Sequence, residues 1–130
     1  MKPKILIVED DMMMRTIFEL YVQQSGLELV GLASSGKDAL ALCKDKNPDL
    51  VLIDIHLEEE MDGLELSEKI TEEFDLPYIF ISADPDPDLI FNSVSENAYG
   101  FLQKPLYKNN LKSTILFAIA KHNMKRQKQN

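Results

Sequence analysis

The chain has 130 residues, which suffices for one domain with its own hydrophobic core and leaves little room for a second. Its 22 acidic residues exceed its 14 basic ones, and the resulting net charge of -8 disfavours binding to nucleic acid or to an anionic membrane. A single cysteine, Cys43, cannot form an internal disulfide, so we predict a reducing, cytoplasmic compartment. No apolar run approaches the roughly 18 residues that cross a bilayer.

Five short apolar segments alternate with five segments of helical periodicity along the chain. Continuous runs rich in β-branched residues predict strands that are buried on both faces. Apolar residues that recur every three or four positions predict amphipathic helices. The predicted elements, in chain order, are strand Lys4–Val8, helix Met12–Ser25, strand Glu28–Ala33, helix Gly36–Lys46, strand Leu50–Asp54, helix Leu64–Phe74, strand Tyr78–Ser82, helix Leu89–Glu96, strand Tyr99–Gln103 and helix Asn109–Met124.

The same patterns predict where several individual side chains lie. Cys43 is expected to be a small buried hydrophobe, whereas His56 and His122 are expected to face solvent. The segment Lys121–Lys128 is predicted to be a frayed, basic helix end that complements the helix dipole, or else the start of a linker. One face of the last helix is predicted to turn inward with Leu111, Ile115, Leu116 and Ile119.

Alternating apolar strands and helices indicate a parallel sheet that is covered on both faces, with right-handed crossovers. In such α/β folds, ligands bind beyond the carboxyl ends of the strands. The residues that directly follow or end the strands are therefore the candidates for a site. They are Glu9, Asp10 and Asp11 after the first strand, Asp54 ending the third, Ser82 ending the fourth, and Lys104 after the fifth.

These residue types together are typical of phosphoryl transfer to a carboxylate. Clustered acids repel one another unless a cation lies among them, and their oxygens are ligands that Mg2+ prefers. A carboxylate can act as a covalent nucleophile, and the chemistry needs mainly positioning and charge neutralisation. Lys104 can supply a positive charge, and Ser82 can donate a hydrogen bond. Taken singly, Asp10 or Asp11 could instead cap a helix, and Lys104-Pro105 could be an ordinary turn.

The motifs resemble, over nearly the whole chain, the receiver domain of two-component response regulators. None of them is specific alone, but their joint order and spacing are. The resemblance implies a doubly wound α/β fold, namely a flavodoxin-like (CheY-like) three-layer sandwich with strand order 2-1-3-4-5. The matching motifs are Glu9-Asp10, Asp54 at the end of VLID, Asp62-Gly63, Ser82-Ala83 and Lys104-Pro105.

The resemblance also implies a role for each residue at the centre of the site. Asp54 corresponds to the phosphoacceptor and Lys104 to the lysine of the family's catalytic site. Asp10 and Asp54 correspond to Mg2+ ligands, and Glu9 to the residue that holds metal-bound water. His56 falls where the family uses a backbone carbonyl as a metal ligand, so its side chain need not matter for the metal, although His56 and Asp84 are candidates for setting the lifetime of the phosphoryl group.

Two further residues correspond to the family's conformational switch. Ser82 matches the switch hydroxyl, where threonine is commoner, and Phe101 matches the switch aromatic, where tyrosine is commoner. Pro105 corresponds to a proline that follows a cis bond. The loop after Asp54 departs from the commonest form, because it reads LEEEM, is one residue longer and lacks the usual proline.

The resemblance implies a single receiver domain over residues 1–130, with its core at about 3–124 and a short polar tail. A phosphohistidine of a sensor kinase or phosphotransfer protein would phosphorylate Asp54 and alter the surface of helix four, strand five and helix five. An effector, or a second copy in a homodimer, could read that surface. Such a domain is not a conventional enzyme, although it catalyses its own phosphorylation and dephosphorylation, and the chain could be a piece of a response regulator or hybrid kinase.

Three other functions remain to be weighed against this one. A receiver-like interaction module that phosphorylation does not regulate should lack Asp10, Asp54 or Lys104, and this chain has all three. A flavin carrier would need a loop rich in glycine and serine after the first strand, where this chain has EDDMMMR. A haloacid-dehalogenase-type phosphatase would carry Asp-x-Asp there and a longer chain.

Overall fold

The structure is a computed structural model that describes residues 2–58 and 60–129. Strands and helices alternate in the predicted order, and the strands Lys4–Val8, Glu28–Ala33, Leu50–Asp54 and Tyr78–Ser82 have the predicted bounds. Part of the acidic loop after Asp54 lies outside the described residues, because Glu59 is not described. In chain order the elements are β1 Lys4–Val8, α1 Met12–Gln24, β2 Glu28–Ala33, α2 Gly36–Lys46, β3 Leu50–Asp54, α3 Gly63–Phe74, β4 Tyr78–Ser82, α4 Pro87–Ser93, β5 Ala98–Gln103 and α5 Lys108–Gln129.

The five strands form one parallel sheet in the order β2-β1-β3-β4-β5, which confirms the predicted doubly wound fold. The order reverses direction between β1 and β3, and that switch point is where such sheets open a crevice for ligands. Val8 at the end of β1 pairs with Ile53 of β3. The next residue on each strand, Glu9 and Asp54, therefore lies beside the other. Ser82 at the end of β4 pairs with Gln103, which precedes Lys104.

Alternate residues of the buried strands pack into two separate apolar clusters, one on each face of the sheet. One cluster contains inward side chains of α1 and α5, such as Phe18 and Ile115. The other contains side chains of α2 and α3, including Cys43, whose predicted burial is confirmed. Three layers result, with helices covering both faces, because strands without a polar side must be covered on both.

Capping residues and glycines set the ends of the helices that border the site. The Asp11 carboxylate accepts hydrogen bonds from the backbone N–H groups of Met13 and Met14, so Asp11 caps α1 as its residue type favours. Gly63 begins α3, and a Cβ at this position would lie 2.6 Å from the Ile55 Cα and 2.7 Å from the Asp54 carbonyl oxygen. Only glycine therefore lets α3 start directly against the end of β3.

Several predictions about α5 and its surroundings were wrong. The helix continues to Gln129, beyond the predicted end at Met124, so the basic segment is helical. Leu116 is 42% exposed rather than inward, because its position on the helix lies to the side of the buried Ile115. His122 is 2% exposed rather than solvent-facing. Its Nε2 donates a hydrogen bond to the Asp75 carbonyl, and its Nδ1 is paired with the Tyr99 hydroxyl.

Other elements differ from their predicted bounds by a few residues. The helix α4 runs over Pro87–Ser93 and is both earlier and shorter than the predicted Leu89–Glu96, because Asp86 caps it and Pro87 occupies its first turn. The Lys104-Pro105 bond is cis, as the resemblance implied. Within the described residues, no helix combines the length and the apolar character that crossing a membrane requires.

Candidate functional site

Five polar side chains meet at the carboxyl-terminal edge of the sheet, as the strand pattern predicted. They come from four strand ends that the parallel register brings together. Two backbone hydrogen bonds fix these ends, from the Glu9 N–H to the Ala33 carbonyl at 2.9 Å and from the Lys104 N–H to the Ser82 carbonyl at 2.8 Å. The five side chains are those of Glu9, Asp10, Asp54, Ser82 and Lys104.

Glu9, Asp10 and Asp54 form the acidic cluster of this edge. One carboxylate oxygen from each lies within 4.8 Å of the other two. Glu9 is 1% exposed and Asp54 is 5% exposed, so water screens their charges poorly. Burial, together with the hydrogen bond to Asp54 and its charge, raises the pKa of Glu9 to about 7. The cluster therefore has a high affinity for protons or other cations.

Lys104 supplies the positive charge beside this cluster. Its Nζ lies 2.7 Å from Glu9 Oε1 and donates a hydrogen bond to Asp54 Oδ2 at 3.3 Å. Burial by itself lowers the pKa of Lys104, but the bond to Glu9 and the charge of Asp54 outweigh it and raise that pKa above its ordinary value. The lysine is therefore a fixed cation that contacts the Asp54 carboxylate directly.

The donor set of the cluster fits a divalent cation such as Mg2+. All three side chains offer carboxylate oxygens, which are hard ligands, and their combined charge exceeds the single charge of Lys104. Asp10 is already held in place, because its Oδ2 accepts a hydrogen bond from the Glu58 N–H at 2.9 Å. The cluster includes the metal-site side chains predicted from the sequence, Asp10, Asp54 and Glu9.

His56 contacts both Asp54 and Ser82. The His56 N–H donates to Asp54 Oδ1 at 2.9 Å, and the ring atom Nε2 lies 3.0 Å from Ser82 Oγ. Sequence reasoning assigned the metal role to the backbone of His56 and did not predict that its side chain contacts Ser82. The pairing of Asp54 with Ile81 in adjacent strands, one residue before Ser82, is the signal that could have suggested this contact.

Phe101 lies on β5, half-buried against the sheet face that α2 and α3 cover. Its ring is tilted against that of Phe80, with 6.3 Å between the centroids. A groove of about 200 Å³ between α4 and β5 adjoins the ring and is lined by Ile90, Val94 and Gly100 among others. The Phe101 ring, which corresponds by resemblance to the switch aromatic, therefore has space beside it for a second side-chain position.

Comparison with known proteins agrees with the fold and the site. The family model for the response regulator receiver domain matches residues 5–116. The transcriptional regulatory protein YdfI of Bacillus subtilis is 31% identical over 117 residues, which cover 89% of this chain and 54% of that protein. A protein-glutamate methylesterase/protein-glutamine glutaminase of Hahella chejuensis is 35% identical over 79 residues, covering 61% of this chain and 22% of that protein.

The solved structures agree as well. The signal receiver domain of a modulated diguanylate cyclase from Desulfovibrio desulfuricans superposes with a TM-score of 0.89 at 29% identity, over 96% of this chain and 99% of that one. A CheY-like receiver domain from Methanospirillum hungatei, at 23% identity and a TM-score of 0.85, has the same fold over 96% of this chain and 99% of that one.

The chain belongs to the response regulator receiver domain family and is a receiver domain of the two-component type. Receiver domains generally bind Mg2+ at an acidic pocket, and this chain has such a cluster. They interact with histidine kinases or phosphotransfer proteins. The chain spans only about half the length of YdfI and less of the methylesterase, so these relatives are larger proteins with different outputs.

Proposed function

We propose that Asp54 accepts a phosphoryl group from the phosphohistidine of a sensor kinase or phosphotransfer protein. The observation that carries this proposal is that the Asp54 carboxylate lies among charges of both signs. It contacts the ammonium of Lys104 at 3.3 Å, and its oxygen lies within 4.8 Å of carboxylate oxygens of Glu9 and Asp10. A nucleophile so placed can react with an anionic group only where cations neutralise the charge that gathers.

In the proposed step, one carboxylate oxygen of Asp54 attacks the phosphorus of the donor. A new O–P bond forms while the P–N bond to the donor imidazole breaks, and the imidazole nitrogen keeps the electron pair. Lys104, fixed by Glu9 at 2.7 Å, balances negative charge on the acceptor and on the arriving oxygens. Later attack by water at phosphorus would release inorganic phosphate and restore the carboxylate.

Mg2+ is the cofactor that we propose for this step. Asp10, Asp54 and the backbone carbonyl of His56 would hold the ion, with Glu9 holding a water bound to it. When bound, the ion supplies Lewis-acid neutralisation of phosphoryl oxygens. Support for this assignment comes from the carboxylate cluster, whose oxygens lie within 4.8 Å of one another.

We propose that the phosphoryl group then draws the Ser82 hydroxyl toward Asp54 and favours an inward Phe101. The consequence would be a change in the surface of α4, β5 and α5. That surface already exposes apolar side chains, with Phe91 77% exposed, Val94 73% exposed and Phe117 67% exposed. An effector would recognise it, and a homodimer is the other partner proposed for the same surface.

The bounds of the domain and its cellular location also belong to this proposal. Residues 1–130 are proposed to form one receiver domain, and the cytoplasmic location predicted from the single cysteine stays a prediction. An interaction module without phosphorylation is not favoured, since Asp10, Asp54 and Lys104 are all present and lie together. Membership of the receiver family does not support the flavin carrier or the dehalogenase-type phosphatase.

The test is the mass of the intact protein after incubation with acetyl phosphate, with and without Mg2+. We expect the wild type to gain one phosphoryl group only when Mg2+ is present, because the acceptor lies among uncompensated carboxylates. The variant Asp54→Asn, which keeps the size of the side chain, should gain none. Unmodified wild type, or an Asp54→Asn protein that is phosphorylated in the same peptide, would contradict the proposal.

A further inference from the structure

The ring of His56 contacts the Ser82 hydroxyl, although the role proposed for residue 56 in the metal site involves only its backbone carbonyl. The two atoms, His56 Nε2 and Ser82 Oγ, lie 3.0 Å apart. Under the proposed function, the Ser82 hydroxyl has to donate to a phosphoryl oxygen on Asp54. The imidazole therefore holds a group that is needed elsewhere once the protein is phosphorylated.

The surroundings of Ser82 leave its hydroxyl few alternatives. Its side chain is fully buried, and the Asp84 N–H donates to its Oγ at 3.2 Å. Within residues 2–58 and 60–129, the hydrogen bonds of the hydroxyl go to His56 and to this N–H, and none goes to Asp54. Where the hydroxyl donates to Nε2, it has to break this bond in order to donate to a phosphoryl oxygen on Asp54. Where Nε2 donates, the bond restrains Oγ in its present position.

The ring of His56 is also tied to the acceptor through its own backbone. The His56 N–H donates to Asp54 Oδ1 at 2.9 Å, and the Gly63 N–H donates to the Ile55 carbonyl at 3.3 Å. The turn after β3 is thus attached both to the acceptor carboxylate and to the start of α3. One residue therefore contacts the acceptor with its backbone and the switch hydroxyl with its side chain.

We propose that His56 is a positioning residue whose imidazole holds the Ser82 hydroxyl in its unphosphorylated arrangement, away from Asp54. Turning of Ser82 toward a phosphoryl group has to weaken or break this hydrogen bond when the hydroxyl donates it, or move Oγ against it when the imidazole donates, so the bond opposes the switch. The inference rests on the proposed function, because it assumes that Ser82 turns to a phosphoryl group on Asp54. A net hydrogen bond of this kind shifts an equilibrium by about three- to tenfold.

The experiment compares the affinity for beryllium fluoride, used with Mg2+ as a phosphoryl mimic, by calorimetry at one fixed pH. We expect His56→Leu to bind the mimic about three- to tenfold more tightly than the wild type, because the competing bond is absent. His56→Gln, whose amide can reach Ser82, should stay within about twofold of the wild type. Both substitutions leave the backbone carbonyl of residue 56 in place.

A second pair of proteins isolates the contact with the hydroxyl. In a Ser82→Ala background, His56→Leu should change the affinity less than about twofold, since the group that His56 holds is gone. An unchanged or weaker affinity of His56→Leu in the Ser82 protein would overturn the inference. An equal gain in both backgrounds would overturn it too, because the effect would then not pass through Ser82.

A readout without ion or mimic separates this inference from the proposed function. The amide signal of Asp84 reports on Ser82 Oγ, because this N–H donates to it. In the free protein, His56→Leu should move that signal in a nuclear magnetic resonance spectrum, and His56→Gln should return it toward its original position. A signal that does not move would refute the contact, whereas a wild type that cannot bind the mimic would instead refute the proposed function.

Discussion

The two ends of the sheet hold buried polar groups in opposite ways. At the carboxyl ends of the strands, burial and a neighbouring carboxylate raise the pKa of Glu9 to about 7, although Lys104 lies 2.7 Å away. At the amino ends, His122 Nε2 donates to the Asp75 carbonyl at 2.8 Å, and its Nδ1 lies 3.1 Å from the Tyr99 hydroxyl. One end has more carboxylates than the single positive charge of Lys104 can balance, whereas at the other end both ring nitrogens of His122 have partners.

The network at the amino ends extends beyond the histidine. The Asn97 side chain donates to Asp75 Oδ1 at 2.9 Å and to the Leu76 carbonyl at 3.0 Å. Lys125 donates to Asn97 Oδ1 at 2.8 Å and pairs with Glu96 at 3.1 Å. A satisfied network of this kind ties α5 to the loops before β4 and β5, which stabilises the fold. Unsatisfied charges, in contrast, are typical of a site that binds something.

The largest expected effect is a loss of stability after a substitution at the amino ends of the strands. His122→Ala would leave the Asp75 carbonyl and the Tyr99 hydroxyl without their partner, and would open a cavity at the buried position of the histidine under α5. We expect the free energy of unfolding to fall by about 2 to 4 kcal/mol, measured by urea denaturation. The affinity for Mg2+ should stay within about twofold of the wild type, since the substitution is at the other end of the sheet.

Asn123→Ala is the matched control for this substitution. Asn123 is the next residue of α5 and is exposed, so its truncation should change stability by less than about 0.5 kcal/mol. A loss below about 1 kcal/mol for His122→Ala would contradict the view that this network stabilises the fold.

The next effect concerns binding at the acidic end. Asp10→Asn removes one of the three clustered charges while keeping an oxygen that can accept from the Glu58 N–H. We expect the affinity for Mg2+, measured by calorimetry, to fall at least about tenfold, because ligand charge sets the affinity of such sites.

Asp11→Asn provides the control, since it removes the same charge from the neighbouring residue. Asp11 caps α1 and does not belong to the acidic cluster. Its amide oxygen can still cap the helix, so the affinity for Mg2+ should change by less than about threefold. Equal losses for the two variants would mean that general charge, and not the cluster, attracts the ion.

The smallest effect is a dependence of stability on pH at the amino end. Burial lowers the pKa of His122 below 6.5, although the bond to Asp75 and its charge oppose this, and Lys125 and Arg126 add to it. The unfolded chain then binds the proton more readily, so the contribution to stability is complete above about pH 6.5 and is lost as the pH falls below it.

Urea denaturation at a series of pH values checks this dependence against His122→Gln, which cannot titrate. As the pH falls from 7 to 5, the wild type should lose more unfolding free energy than His122→Gln does. A difference that stays constant, or shifts toward the wild type, would show that the histidine is not held neutral by its surroundings.

Much of the fold could be predicted because the relevant signals are local. Four strands and the helix Gly36–Lys46 have the predicted bounds, since β-branched runs and helical spacing are properties of short segments. The acidic cluster was also predicted, because parallel strands place their carboxyl ends at one edge. The bounds of α4 and the length of α5 were less accurate, since capping by Asp86 and packing decide where a helix ends.

The two histidines show what sequence reasoning could not reach. Both were expected to face solvent. His56 is exposed as predicted, although its ring contacts Ser82, whereas His122 is buried, and neither spacing nor polarity distinguishes a free imidazole from a paired one. His56 contacts Ser82 across a separation of 26 residues, and His122 contacts the carbonyl of Asp75 across 47. Such contacts exist only once the strands and helices have been assembled.

The α/β class and the parallel sheet could be predicted from the residues alone, and so could the meeting of Glu9, Asp54 and Lys104 at one edge. Apolar periodicity and the residue types at strand ends carry that information without any knowledge of packing. Which buried polar groups satisfy one another, and which do not, depends on the assembled fold. The reason is physical, because a hydrogen bond depends on distances of a few tenths of an ångström that distant segments fix together.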